Sequence, residues 1–156
     1  MKPRLYVETS IVSYLTAYPS RDLVRAAHQQ ITRGWWATRA QFELYISQFV
    51  LDEASAGDQD AATKRLAALR EATVLGTTPE AVHLAGELVR VGDLPEKAMV
   101  DALHIAVASV HGMDYLLSWN CRHIANASMR SRIESTCRSY GVEPPTICTP
   151  IEFSAE

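Results

Sequence analysis

The stretch DALHIAVASVHGMDYLLSWN, residues 101–120, decides the architecture. Its first half is apolar on nearly every side except for one stripe, the composition of a helix buried among other elements. Gly112 marks where that helix stops. Residues 115–119 then read as a short buried strand, and Asn120 follows it directly. A buried helix feeding a strand through a glycine turn is half of a strand–helix–strand unit, from which parallel sheets are built.

The same alternation continues in both directions. Strands are expected at 5–7, within 43–47, at 73–75 and at 146–149, and helices over 11–17, 21–38, 48–56, 60–72, 79–91 and 95–111. A last pair of helices is expected after Trp119, ending near Tyr140-Gly141. Asp93-Leu94-Pro95-Glu96 has the D-x-x-E form of a capping box with proline in the first turn. Gly112 and Gly141 are expected to close their helices. The predicted fold is a three-layer α/β/α arrangement with a mainly parallel five-stranded sheet, in a single domain over residues 1–156.

With 47% apolar and 21% charged residues the chain can bury a core, so disorder is excluded. Met1-Lys2-Pro3-Arg4 leads straight into the first strand without the apolar run of a signal peptide. The most apolar stretch, 98–110, is interrupted by Asp101 and His104, so no membrane span is expected and the cytoplasm is the expected location. Cys121, Cys137 and Cys148 are odd in number and form no C-x-x-C pair, which argues against a disulfide framework or zinc knuckle. Cys121-x-His123 alone is a weak metal signal. The net charge of −3 does not advertise nucleic-acid binding. Between Leu117 and Val142, however, Arg122, Arg130, Arg132 and Arg138 face Glu134 alone. That local excess would suit phosphates, or equally the solvated face of a helix.

Ligands of an open α/β sheet collect outside the carboxyl ends of its strands. Glu8 follows the first strand there, and Asn120 follows the fourth. Glu53 lies in the first two turns of the helix leaving the second strand, extending the stripe of Phe49 and Val50, whereas Asp52 shares a solvated face with Gln48 and Ser55. Asp101 is placed in the second turn of a helix that runs back across the sheet, on one stripe with Lys97, His104 and Ala108. Each residue has an ordinary structural use as well. Glu8 would serve as a solvated strand end, Glu53 to neutralise an arginine, Asp101 to pair with Lys97, and Asn120 as an N-cap. Together the four converge on one edge. Three clustered carboxylates repel unless a cation joins them, and Mg²⁺ or Mn²⁺ suits oxygen ligands and promotes phosphodiester hydrolysis.

Asp101-Ala102-Leu103-His104-Ile105-Ala106-Val107-Ala108, His111-Gly112 and Leu116-Leu117-Ser118-Trp119-Asn120 resemble the distal half of PIN-domain proteins. Tyr6-Val7-Glu8-Thr9-Ser10 and residues 47–53 are similar to that family's first two acidic elements. The resemblance implies a Mg²⁺- or Mn²⁺-dependent endoribonuclease acting on single-stranded RNA, like the toxins of VapBC-type toxin–antitoxin pairs. It implies Glu8, Glu53 and Asp101 as metal ligands, with Asn120 completing the catalytic set. Its expected partners are RNA, a small cognate antitoxin and a second copy in a homodimer. The family usually has aspartate where Glu8 stands, which lengthens the reach by a methylene. Asn120 carries no charge, so one metal ion is expected. Ser10 and Ser118 are candidate supporting hydroxyls, or simple turn residues.

Trp35-Trp36 puts two large aromatics on neighbouring faces of one helix. One can enter the core; the other needs a covering loop, a partner or a dimer surface. Two other functions compete. A receiver-like phosphoacceptor would want an acidic pair after the first strand and a lysine after the fifth, where Glu8 stands alone and Pro150 follows. A catalytically weak or inactive PIN-like binding module is the better alternative.

Overall fold

The computed structural model describes residues 1–153. Its five strands are β1 (Arg4–Val7), β2 (Glu43–Ser47), β3 (Thr73–Leu75), β4 (Tyr115–Leu117) and β5 (Thr146–Cys148). They form one sheet in the order β3-β2-β1-β4-β5, and every neighbouring pair is parallel. Leu5 lies opposite Leu44 on one side and Tyr115 on the other, so β1 is the central strand. All five predicted strands are present, within a residue or two of their expected ends.

The helices are α1 (Thr9–Thr16), α2 (Leu23–Trp36), α3 (Gln48–Ala54), α4 (Gln59–Ala68), α5 (Pro79–Arg90), α6 (Met99–Val110) and α7 (Ala127–Ser139). Helix α1 packs on α2, α3 and α4, while α5 packs on α6 and α7. Right-handed crossovers explain the division. The chain moves from β1 to β3 in one direction along the sheet and from β4 to β5 in the other, so the two helix groups cover opposite faces. Both faces of the sheet are therefore buried: Leu5, Tyr6, Val7, Leu116 and Leu117 are all at most 1% exposed. No helix among the described residues is long and apolar enough to cross a membrane.

Two sequence readings need correction. Asp93 caps no helix. Its carboxylate accepts a hydrogen bond from the Thr136 hydroxyl of α7, and Pro95 is extended, at φ −70° and ψ 155°. A 3₁₀ turn (Glu96–Ala98) intervenes, and α6 begins at Met99, so Asp101 lies in the first turn rather than the second. The expected pair of helices after Trp119 is one helix, α7. Residues 121–124 form a turn instead, held by Asn120, and Asn126 caps α7 through the Ser128 N–H at 3.0 Å. The glycine stops hold: Gly112 and Gly141 take φ of 69° and 89°, a conformation that costs an L side chain strain. Trp35 enters the core beside Phe42. Trp36 is covered by the Arg39 guanidinium, 4.6 Å from its ring centre, so the loop after α2 supplies the cover.

Candidate metal centre

The strand order reverses between β1 and β4, which makes the carboxyl ends of these two strands the switch point of the sheet. Glu8 is the first residue beyond β1. Its backbone N–H donates to the Leu117 carbonyl at 3.1 Å, which ties it to the end of β4. Its side chain is held inward: the residue is only 5% exposed. Glu8 Oε1 accepts from the Ser118 hydroxyl at 2.6 Å and from the Ser10 hydroxyl. These hydroxyls in turn accept backbone N–H groups, Ser10 from Trp119 at 2.8 Å and Ser118 from Asn120 at 2.9 Å. Both serines thus stitch the ends of β1 and β4 together through the carboxylate, beyond any plain turn role.

Glu53 arrives from α3. Its Oε1 accepts from the Thr9 hydroxyl at 2.7 Å and contacts His104 Nε2 at 2.7 Å. His104 is fully buried on α6, and its Nδ1 lies 2.7 Å from the Tyr6 hydroxyl, which lies 2.7 Å from Ser47 Oγ. Burial is the largest influence on the Glu53 carboxyl and pushes it upward. The interaction with His104, together with the Thr9 bond, outweighs that and holds it below the usual glutamate range. Burial also raises the Tyr6 phenol far above its ordinary value, so it stays protonated.

One ligand atom each from Glu8, Glu53 and His104 lies within 4.8 Å of the others. Asp101 belongs to no such group of three among the described residues. Its Oδ1 accepts from Asn120 Nδ2 at 3.1 Å, and its Oδ2 lies 3.0 Å from His123 Nδ1. Asn120 Oδ1 meanwhile accepts the N–H groups of Arg122 and His123, which is a capping role at the turn. The four predicted residues therefore form two pairs, Glu8 with Glu53 and Asp101 with Asn120. The Asn120 N–H and the Ser118 hydroxyl link the second pair to the first. No Lys97–Asp101 ion pair forms, and no arginine neutralises Glu53. Asp52 accepts from Gln48 on the exposed face, as its spacing suggests.

The donor set fits a hard divalent cation. Neither Glu8, Glu53 nor Asp101 has a lysine or arginine within ion-pair distance among the described residues. In both glutamates the internal donors occupy Oε1 and leave Oε2 without a partner among the described residues. Two adjacent carboxylates, one deeply buried, are costly without a counter-charge, and oxygen ligands with open lone pairs suit Mg²⁺ or Mn²⁺. An open cleft of about 610 Å³ lies elsewhere, beside Glu43 and Thr73 at the starts of β2 and β3, where Glu71 is paired with Arg39 and no group of three potential ligands collects among the described residues.

His104 and His123 are the site residues that sequence reasoning missed. The stripe shared by Asp101 and His104 was the available signal for the first. For the second the signal was the Cys121-x-His123 spacing, but Cys121 is exposed and His123 is turned to Asp101.

Residues 5–123 match the family model described as PIN domain. Among solved structures, the crystal structure of Mycobacterium tuberculosis VapC20, described as a sarcin–ricin loop cleaving toxin, is similar with a TM-score of 0.59. The two chains are 23% identical, over 76% of this chain and 92% of that one, and at this identity the likeness speaks for the fold. No curated protein matches.

Proposed function

This chain belongs to the PIN-domain family, and from that premise we propose that it is an endoribonuclease that uses Mg²⁺ or Mn²⁺ to hydrolyse single-stranded RNA. The observation that carries the proposal is the buried Glu8 carboxylate beside Glu53, with no lysine or arginine paired to either among the described residues. When bound, a divalent ion supplies charge stabilisation at a phosphoryl oxygen and lowers the pKa of its water. Glu8 and Glu53 would hold that ion. Asp101 is the third carboxylate in this reading. Each of its oxygens accepts one bond and keeps a lone pair. Asn120 orients Asp101 and, through Ser118, fixes its position relative to Glu8.

Exposed Lys97, one turn before Asp101, and exposed Arg122, two residues after Asn120, flank the carboxylates and suit phosphates of the bound strand. Arg132 is exposed on α7, while Arg138 is drawn off by Glu134 and Glu143. One flexible backbone can be brought to the carboxyl ends of β1 and β4 more readily than a rigid duplex. Action as the toxin of a toxin–antitoxin pair in the cytoplasm, with a small cognate antitoxin and a homodimeric state, completes the proposal. Incubation of the purified chain with a diverse RNA pool tests it. Cleavage is expected with Mg²⁺ or Mn²⁺, absent with EDTA, and weaker at higher salt. A chain that cuts no RNA with either metal would be an inactive PIN-like binding module instead.

A further inference from the structure

We propose that His104 is a positioning residue of this centre and not a ligand: with Tyr6 and Ser47 behind it, it forms an internal strut that aims the Glu53 carboxylate at the cation. The inference rests on the metal reading above.

Both ring nitrogens of His104 are engaged, at 2.7 Å from Glu53 Oε1 and 2.7 Å from the Tyr6 hydroxyl. A carboxylate only accepts, so the hydrogen between His104 and Glu53 sits on Nε2. In that tautomer Nδ1 accepts from the Tyr6 hydroxyl, and the Tyr6 oxygen accepts from Ser47 at 2.7 Å. Every donor then has one acceptor, in the order Ser47, Tyr6, His104, Glu53. No imidazole lone pair remains for a metal.

The setting explains why a strut is needed. Glu53 sits on a seven-residue helix with its side chain 39% exposed, where a long carboxylate has many rotamers. Ser47, Tyr6 and His104 are at 0% exposure and come from β2, β1 and α6. The chain of hydrogen bonds therefore ties the carboxylate to the central strand β1, to its neighbour β2 and to the buried helix α6. Phe49 packs edge-on to the His104 ring at 6.3 Å and limits its rotation. Because the strut and Thr9 both bond Oε1, Oε2 is the atom left for the cation. Groups that bond a ligand rather than its metal act on affinity through this kind of orientation.

The test uses the full chain, stripped of metal and titrated with Mn²⁺ by calorimetry, with folding checked by circular dichroism. Tyr6→Phe keeps the ring and removes the hydroxyl, and it should weaken Mn²⁺ binding by roughly 10–100-fold. Ser47→Ala should weaken it in the same direction by less, and it decides the matter alone if Tyr6→Phe does not fold. His104→Gln, which offers Glu53 an amide donor, should retain more affinity than His104→Ala. Pulsed electron paramagnetic resonance of the Mn²⁺-loaded parent should show no directly bound nitrogen. A directly bound nitrogen would make His104 a ligand and overturn the proposal. A parent that binds Mn²⁺ beside folded Tyr6→Phe and Ser47→Ala variants that bind it equally well would overturn the strut and leave the metal reading standing. A parent that binds no Mn²⁺ would overturn both.

Discussion

Glu8 and Asp101 meet their surroundings differently. Glu8 accepts from two hydroxyls that also organise the backbone, whereas Asp101 accepts from an amide and an imidazole on the turn after β4. Asp101→Asn separates a chemical role from a structural one. A metal carboxylate there should lose roughly 100-fold or more in activity, beyond the ~10–100-fold typical of a supporting group. Stability should change by only about 1 kcal/mol, because an asparagine oxygen can still accept from Asn120. Denaturant melts alongside RNA cleavage assays check both. A variant that cuts as fast as the parent but melts earlier would make Asp101 a clamp on the turn.

Glu53 gives a pH prediction for the metal-free chain. Its folded carboxyl lies below the ordinary value of 4.5, so its contribution is present above that value and is lost as pH falls through the folded one. The parent should therefore be more stable than Glu53→Gln at neutral pH, with the gap closing below about pH 4.5. Urea midpoints at several pH values read this, and a gap that widened on acidification would contradict it. At this scale the acidic residues were legible from their positions after strands and on helix faces. The contacts of His104 were not, since its partners Tyr6 and Glu53 are 98 and 51 residues away along the chain.

Among elements, hydrophobic period and glycine stops located the strands and most helix ends, because those signals are local. Thr78 bonds the Ala81 N–H with Pro79 in the first turn of α5, a start written wholly in neighbouring residues. The D-x-x-E at 93–96 misled for the opposite reason. Thr136, forty-three residues away, takes the Asp93 carboxylate that would have capped a helix. Two glycines separate backbone freedom from packing. At Gly112 an added Cβ would meet only the end of Arg4 at 3.9 Å, but φ is +69°, so Gly112→Ala should destabilise by about 1–2 kcal/mol. At Gly86, inside α5 with open space around it, Gly86→Ala should stabilise by roughly 0.4–1 kcal/mol. Thermal melts of both variants check the opposite signs, and shifts of equal sign would contradict the backbone account.

For the whole molecule, the order β3-β2-β1-β4-β5 gives the separated sequence motifs a common address. It puts the ends of β1 and β4 side by side at the switch point, where 110 residues of chain separate Glu8 from Ser118. Strand count and parallel pairing could be read from the alternation of elements, and with them the carboxyl edge as the place to look. The division of the four predicted residues into two pairs, Glu8 beside Glu53 and Asp101 hydrogen-bonded to Asn120, could not, because rotamers depend on contacts across the fold. The proposed activity requires that the buried Glu8 and its neighbour Glu53 hold a cation. Calorimetric titration of Mn²⁺ into the metal-free chain and its Glu8→Gln variant measures this most directly. One ion should bind the parent, and the near-isosteric variant should bind it at least roughly 100-fold more weakly, more than the loss of a supporting group explains. A parent that takes up no Mn²⁺, or a Glu8→Gln variant that binds it as tightly as the parent, would contradict the claim.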